Sequence, residues 1–409
     1  MSEPFIPTHR KATCTMRLTD AFGNPLAHHH IHVQQTRHEF LFGCGAFDFL
    51  SYVTATNEAD RQFLKDRTDK WLDVFNYGTI PFYWGRFEPQ EGYPETESRM
   101  KTAKYLQSHG IAVKGHPLCW HTVCADWLLQ YDNDTILRKQ LDRITREVST
   151  FRGTVDLWDV INEVVIMPIF DKYDNAVTRI CKDKGRIGLV KEVFAAAKEA
   201  NPDATLLIND FNTSISYEIL IDGCLNAGIP IDAIGIQSHQ HQGYWGADKL
   251  EEVLARFEHF GLPIHFTENT LISGDLMPAY IEDLNDWQVP EWPTTPEGEE
   301  RQCREWEEMY RILFSHPLVE AVTGWDFADG AWLGAPSGLI RKDNSVKPVY
   351  ERLKKLIREE WWTDTFVTTD ENGFATFEGV LGDYLLSDGP RSYSMVLSRD
   401  MPKVLELQL

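Results

Sequence analysis

No stretch of this 409-residue chain approaches 18 uninterrupted apolar residues, so nothing in it reads as a membrane-spanning helix. The opening MSEPFIPTHRKATCTM lacks the apolar segment of a secretory leader. On that ground the expected location is the cytoplasm, although a leader already removed would leave the same sequence. Cysteine is sparse and scattered: seven residues, at 14, 44, 119, 124, 181, 224 and 303. An odd, scattered set fits reduced thiols better than a disulfide framework, and Cys119-x4-Cys124 without a second pair is no zinc signature. Positive charge is short, with 40 Lys and Arg against 62 Asp and Glu, a formal −22. With no basic cluster to offset it, such a surface repels phosphate backbones and anionic lipid. No nucleic-acid or membrane partner is therefore expected, and a neutral small-molecule or polymer partner fits better. Internal repeats, low-complexity tracts and Gly/Ser-rich linkers are missing too.

What is present is globular. Hydrophobic residues make up 43% and charged residues 25%, enough for a large core. The aromatic share is high, 12% with 13 Trp. Rings pack cores, but indole faces also stack on the apolar faces of pyranoses, and composition does not separate the two uses.

From residue 39 onward short apolar runs alternate with helical patterns, the signature of repeated βα units. Strands are predicted at 39–47, 76–84, 111–120, 155–161, 204–211, 231–240, 262–269 and 319–329. Leu137, Leu141, Ile144, Val148 and Phe151 form one apolar helical stripe. Further helices are expected at 188–200, at 248–260 ended by Gly261, and at 348–360 with Pro348 in the first turn. Eight strands with following helices predict a (β/α)8 barrel. An open doubly wound sheet is the rival, but no Gly-x-Gly-x-x-Gly follows the first strand. The two ends, 10–37 and 364–409, alternate apolar and polar residues around turns such as Asp-Ala-Phe-Gly-Asn-Pro and Asp-Glu-Asn-Gly. They predict antiparallel strands pairing in one small β-sandwich. The expected division is 1–37 and 363–409 for that β-domain and 38–362 for the barrel. Residues 290–296 (PEWPTTP) read as an insertion at the functional face.

Barrel side chains that do chemistry gather where the strands end. Six predicted strands end in polar residues: His116, Trp120 and His121; Asn162 and Glu163; Asn209 and Asp210; Gln237, Ser238 and His239; Glu268 and Asn269; Asp326 and Asp329. Glu163 and Glu268 each close an apolar run, in LWDVINE and IHFTE. Breaking a glycosidic bond needs one carboxyl to protonate the departing oxygen and another to meet the developing oxocarbenium. The competing reading of this spacing is two carboxylates in rim salt bridges.

The motifs GHPLCWH, WDVINE, LLINDFN, IGIQSHQ, FTEN and GWDFADGAW, with QTRHEFLFGCG and FEPQEG, together resemble family 10 glycoside hydrolases, best known as endo-β-1,4-xylanases. The likeness runs in order along roughly residues 30–360. It implies a retaining β-glycosidase with Glu163 as acid/base and Glu268 as nucleophile, needing no cofactor and no metal. It also implies a carbohydrate partner contacted by His116, Trp120, Asn162, Gln237, His239, Trp325 and Trp332. Gln237 and His239 lie two apart on one strand and so face the same way, which lets His239 orient Glu268.

Three departures bear on substrate. Where the family carries Glu-Asn-x-x-Lys, alignment through Trp84 and Glu88–Pro89 puts the bulkier, less polar Thr79-Ile80-Pro81-Phe82-Tyr83, and blocking of the non-reducing side by Phe82 or Tyr83 would favour a narrower substrate. Trp84 and Tyr83 are accordingly candidate sugar contacts. The nucleophile motif reads Glu268-Asn269-Thr270 instead of continuing with Leu-Asp, so the histidine's acidic partner is missing. The loop between Trp325 and Trp332 is one residue shorter. Xylan or xylo-oligosaccharides remain the first expectation, with a narrow-specificity, exo-acting or disaccharide-releasing β-glycosidase as alternative. A catalytically silent sugar-binding protein is a further alternative, opposed by the presence of both carboxylates. A metal hydrolase is suggested only by the His-rich segments 28–32 and 237–241. Strand alternation would put His28, His30 and His32 on one face, but no acidic partner accompanies them.

Overall fold

A computed structural model describes residues 5–389 and 391–408. The chain forms two compact units, Phe42–Tyr350 and a second made from both chain ends, up to Leu41 and from Glu351 onward.

The larger unit is a closed eight-stranded barrel. Its strands are Leu41–Gly45, Tyr77–Pro81, Ala112–His116, Leu157–Asn162, Thr205–Asp210, Ala233–Gln240, Ile264–Leu271 and Val319–Gly324. Each lies beside the next in sequence and the eighth closes on the first. They are parallel and buried on both faces, which is why they read as nearly continuous apolar runs. All eight sequence-predicted strands are there, each starting at or after its predicted position; the fourth and seventh run on to Asn162 and Leu271, and the others end at or before the predicted residue. The second stops at Pro81, which has no N–H to continue a ladder, and Trp84–Phe87 is one short helix. The eighth stops at Gly324, so Trp325 and Asp326 stand in the loop that follows.

Helices return the chain between strands. Asn133–Phe151 starts where the Asp132 carboxylate accepts the Thr135 N–H. Its buried stripe is rotated from the predicted one: Ile136, Gln140, Arg143, Ile144, Glu147, Val148 and Phe151 are buried, whereas Leu137 and Leu141 are half-buried. The polar members face inward because they have partners there. Gln140 donates to the Leu118 carbonyl at 3.0 Å, and Arg143 donates to the carbonyls of Leu118 and Phe82. These bonds fix the loops leaving the second and third strands. Gly246–Phe257 ends through a short 3-10 turn at Gly261, whose φ of +65° is the left-handed conformation glycine accepts freely.

The smaller unit is a β-sandwich. Phe374–Val380, Lys11–Thr19 and Leu405–Gln408 make one sheet; Asp364–Thr368, His30–His38, Gly382–Ser387 and Ser392–Leu397 make the other. Alternate side chains of both sheets, including Cys14, Met16, Leu18, Ile31, Val33, Phe377, Tyr384 and Leu397, share one core. The pairings are antiparallel except that Lys11–Thr19 runs parallel to Leu405–Gln408, a departure from the all-antiparallel expectation. The chain's last strand reaches that edge by crossing over rather than by a hairpin.

The His-rich segment is not one strand. His28 lies before it with φ +53°, so it does not share a face with His30 and His32 by alternation. His32 instead pairs with Asp364 at 2.5 Å and stacks on Phe366. Among the described residues no group of three or more His, Cys, Asp or Glu is arranged to hold a metal ion, and none of the seven cysteines is in a disulfide. No helix among them is long and apolar enough to cross a membrane.

Candidate active site

The strand ends bring Glu163 and Glu268 into one polar network. Glu268 lies inside the seventh strand and is 4% exposed. Its two oxygens are separately occupied. Oε1 accepts from Asn209 Nδ2 at 2.9 Å and faces His116 Nδ1 at 3.8 Å, while Oε2 meets His239 Nε2 at 3.0 Å. Burial alone would raise its pKa. The attraction of His116, His239 and Lys114 outweighs burial and holds it below the ordinary carboxylate value.

Glu163 is built differently. It follows the fourth strand with φ +56°, a conformation that costs a non-glycine residue about 1–2 kcal/mol. Two backbone bonds hold it there: its N–H donates to the Asn209 carbonyl at 2.8 Å and its carbonyl accepts from Met167 at 3.2 Å. Neutral donors surround its carboxyl: Trp120 Nε1 to Oε2 at 2.8 Å, and Gln237 Nε2 and Asn162 Nδ2 to Oε1 at 3.2 and 3.3 Å. Burial pushes its pKa up to about 8, and the negative charges of Glu268 and Asp210 add to this against the Trp120 bond.

Asn209 joins the two carboxylates. Its amide donates to Glu268 and, at 2.8 Å, to Asn162 Oδ1, which Gln237 also reaches at 3.0 Å. Thr267 donates to Asn209 Oδ1 at 2.7 Å, which fixes the orientation of that amide. Beneath lies a fully buried charge cluster: Asp159 forms an ion pair with Lys114 and a hydrogen bond with His116 Nδ1, each at 2.7 Å. Asp159 therefore sets which His116 nitrogen faces it, and its pKa is held below the ordinary value against burial by these partners. Sequence reasoning passed over Lys114 and Asp159. The available signal was a Lys and an Asp inside otherwise apolar strands.

His239 is framed by rings, with Trp332 at 4.6 Å and Trp325 at 5.7 Å between centroids. Thr270 stands at 3.3 Å from His239 Nδ1, so a hydroxyl occupies the place of the missing acidic partner. Nearby Asp326 is 4% exposed and accepts from Ser337 Oγ at 2.7 Å. Burial pushes its pKa up to about 6.

Tyr83 packs edge-on to His116 and tilted to Trp120, each at 5.7 Å, and its phenol lies in the field of Glu268, Asp326 and Glu163. Phe82 does not enter the cleft. It is buried against Phe87, Phe151 and Trp158, because the strand ends at Pro81 and the next side chain points out toward the helix layer. Any blocking of the cleft at this strand therefore rests on Tyr83 alone. Trp84 is likewise apart from the carboxylates. Its Nε1 donates to Glu88 at 3.1 Å and its ring packs on Trp127 and under Arg143. The structure thus gathers His116, Trp120, Asn162, Gln237, His239, Trp325, Trp332 and Tyr83 around Glu163 and Glu268.

A buried and a half-buried carboxyl with opposite proton affinities at a barrel mouth, ringed by indoles, are the equipment of a barrel glycosidase. The model of Glycosyl hydrolase family 10 matches residues 81–356, and the chain belongs to that family. Over 297 residues it is 27% identical to Endo-1,4-beta-xylanase B of Thermotoga neapolitana, covering 68% of this chain and 78% of that protein. It is 23% identical over 404 residues to the Anti-sigma-I factor RsgI6 of Acetivibrio thermocellus, covering 95% of this chain but 47% of that protein. The chain spans less than half the length of three of its curated relatives. The crystal structure of native xylanase 10B from Thermotoga maritima superposes with a TM-score of 0.62 at 22% identity, over 79% of this chain and 96% of that one. That likeness supports the fold.

Proposed function

We propose that this chain is a retaining β-glycoside hydrolase that acts on β-1,4-linked xylan or xylo-oligosaccharides by double displacement. The observation that carries this reading is the asymmetry of the carboxyl pair. Glu163, held protonated near neutral pH, is equipped to give its proton to the departing glycosidic oxygen. Glu268, held ionised by His116 and His239, is equipped to attack the anomeric carbon. After the leaving group departs, Glu163 is a carboxylate and can take a proton from water, which then displaces Glu268 with the original configuration restored. Asn162, bonded to Glu163, supplies the amide for the sugar hydroxyl next to the anomeric carbon, and Asn209, whose amide is spent on Glu268 and Asn162, holds it in register. Trp325 and Trp332 offer indole faces for the ring.

Tyr83 favours a second, narrower reading. A phenol takes the place of the family's polar clamp beside the carboxylates, which suits small β-glycosides better than a continuous polymer.

The test is hydrolysis by the wild type and Glu268→Gln of xylan, xylo-oligosaccharides and a panel of aryl β-glycosides, with the product anomer followed by NMR. Glu268-dependent release of the β-anomer from xylo-oligosaccharides supports the first reading. Cleavage confined to small glycosides selects the second. Initial release of the α-anomer contradicts retention, and no hydrolysis of any substrate contradicts both.

A further inference from the structure

The segment between the seventh strand and the helix Pro296–Ser315 is an insertion packed around a small core that it shares with the loop after the eighth strand. Ile272, Met277 and Trp292 are buried there with Ala335, and Ile281, Leu284 and Trp287 pack against them. The insertion is pinned to the sixth strand's end: the Met277 N–H donates to the His241 carbonyl at 2.9 Å, and Gln242 donates to the carbonyls of Ile281 and Pro278 at 2.7 and 3.0 Å. Its far edge reaches the loop after the fourth strand. There Lys172 Nζ meets Asp283 at 2.6 Å and Asp286 at 2.8 Å. Strands four to seven are consecutive around the barrel. A tie from the seventh strand's loop to the fourth's therefore arches outside the ends of the fifth and sixth.

The arch stands on one side of the carboxyl pair. From Glu163 a row of rings leads outward: Trp120, whose indole bonds the carboxyl, then His121, Phe170 and Tyr173, with centroids 6.2, 4.5 and 4.8 Å apart. Tyr173 is 49% exposed, and its phenol lies in the field of Glu163. Lys172 is its immediate neighbour. The group that protonates the glycosidic oxygen lies toward the leaving group. On that geometry the leaving group departs along the two loops that carry this row, those after the third and fourth strands, the second of which ends at the tie.

We propose that the Lys172–Asp283/Asp286 tie is an outer wall on the leaving-group side of the cleft. Lys172 thereby becomes a specificity-determining residue that restricts the substrate to a short, flat-faced leaving group of one sugar or aryl ring. This rests on Glu163 being the acid. It goes further in assigning short oligosaccharides and aryl-type β-glycosides, cut beside the end, as the substrate class. The two carboxylates on one ammonium hold the wall through exposed ion pairs, so salt loosens it. The small shared core keeps the rest of the arch in place.

The experiment uses xylohexaose labelled with 18O at its reducing end, with products read by mass spectrometry, and an aryl β-xylobioside in parallel. Wild type, Lys172→Ala and the double variant Asp283→Asn/Asp286→Asn are compared at low and high salt. The wild type is expected to release labelled monosaccharide in about tenfold excess over internal cuts, and both variants to move that ratio toward internal cuts by about tenfold. High salt moves the wild type the same way. Predominantly internal cutting by the wild type, or a ratio unmoved in both variants, overturns the wall while aryl xylobioside hydrolysis leaves the glycosidase reading standing. Absence of hydrolysis of both substrates by the wild type overturns the glycosidase reading and the wall with it.

Discussion

Glu163 and Glu268 are the same side chain in two different settings, and the proposed division into acid and nucleophile rests on the difference. Around Glu268 the barrel supplies cationic or cation-forming groups: His116, His239 and, one layer down, Lys114. Around Glu163 it supplies neutral donors from Trp120, Gln237 and Asn162, with the negative charges of Glu268 and Asp210 beyond. Both carboxyls are desolvated, so burial does not distinguish them. What does is the sign of the charge placed within reach. The backbone differs as well. Glu268 is fixed by a strand, whereas Glu163 sits in a left-handed turn that two backbone hydrogen bonds hold in place.

The comparison breaks most visibly if the carboxylates are removed one at a time. Glu268→Gln should lower turnover by about 10⁴-fold or more on every substrate, because no other group replaces a nucleophile. Steady-state and single-turnover rates on an aryl glycoside measure this. Glu163→Gln should cost about 10²–10⁴-fold on substrates with a basic leaving group and far less where the leaving group is an activated phenol. Equal losses on both leaving groups would remove the acid role.

A third change attacks the charge asymmetry from below. Asp159→Asn leaves Lys114 buried beside a neutral amide, which should destabilise the fold by about 3–5 kcal/mol, seen as a fall in the denaturation midpoint. It also loosens the hold on His116 and through it on Glu268. The smallest effect is the most specific. Trp120→Phe deletes a hydrogen bond that lowers the Glu163 pKa, so the alkaline limb of activity should move to higher pH, by about half a unit or more. A shift to lower pH would mean that the indole does not stabilise the ionised form.

Much of this was legible in the chain itself, for a definite reason. A parallel strand buried on both faces is a nearly continuous apolar run, so a polar residue at its end is conspicuous, and Glu163 and Glu268 stood out on that ground. Lys114 and Asp159 escaped because each is a single charge inside such a run, and only the fold shows that they meet. The left-handed backbone at Glu163 has no sequence mark, since glutamate has no preference for it. Phe82 and Tyr83 are adjacent and both aromatic, yet one packs outside the barrel and the other inside its mouth. The register at Pro81 decides which, and that register is read only in three dimensions. The tie from Lys172 to Asp283 and Asp286 joins loops more than 100 residues apart, beyond any local pattern.

The most direct test of the asymmetry is the pH dependence of kcat/KM for an aryl glycoside whose leaving group is basic enough to need protonation, measured for the wild type and Glu163→Gln. An acid that must be protonated gives activity below its pKa and loses it above, so the wild type should fall off as pH rises through about 8. A nucleophile that must be ionised gives the opposite limb, which for Glu268 lies below the ordinary carboxylate value. The assignment requires the alkaline limb to disappear in Glu163→Gln while the acidic limb stays. An alkaline limb that survives unchanged in Glu163→Gln would contradict it.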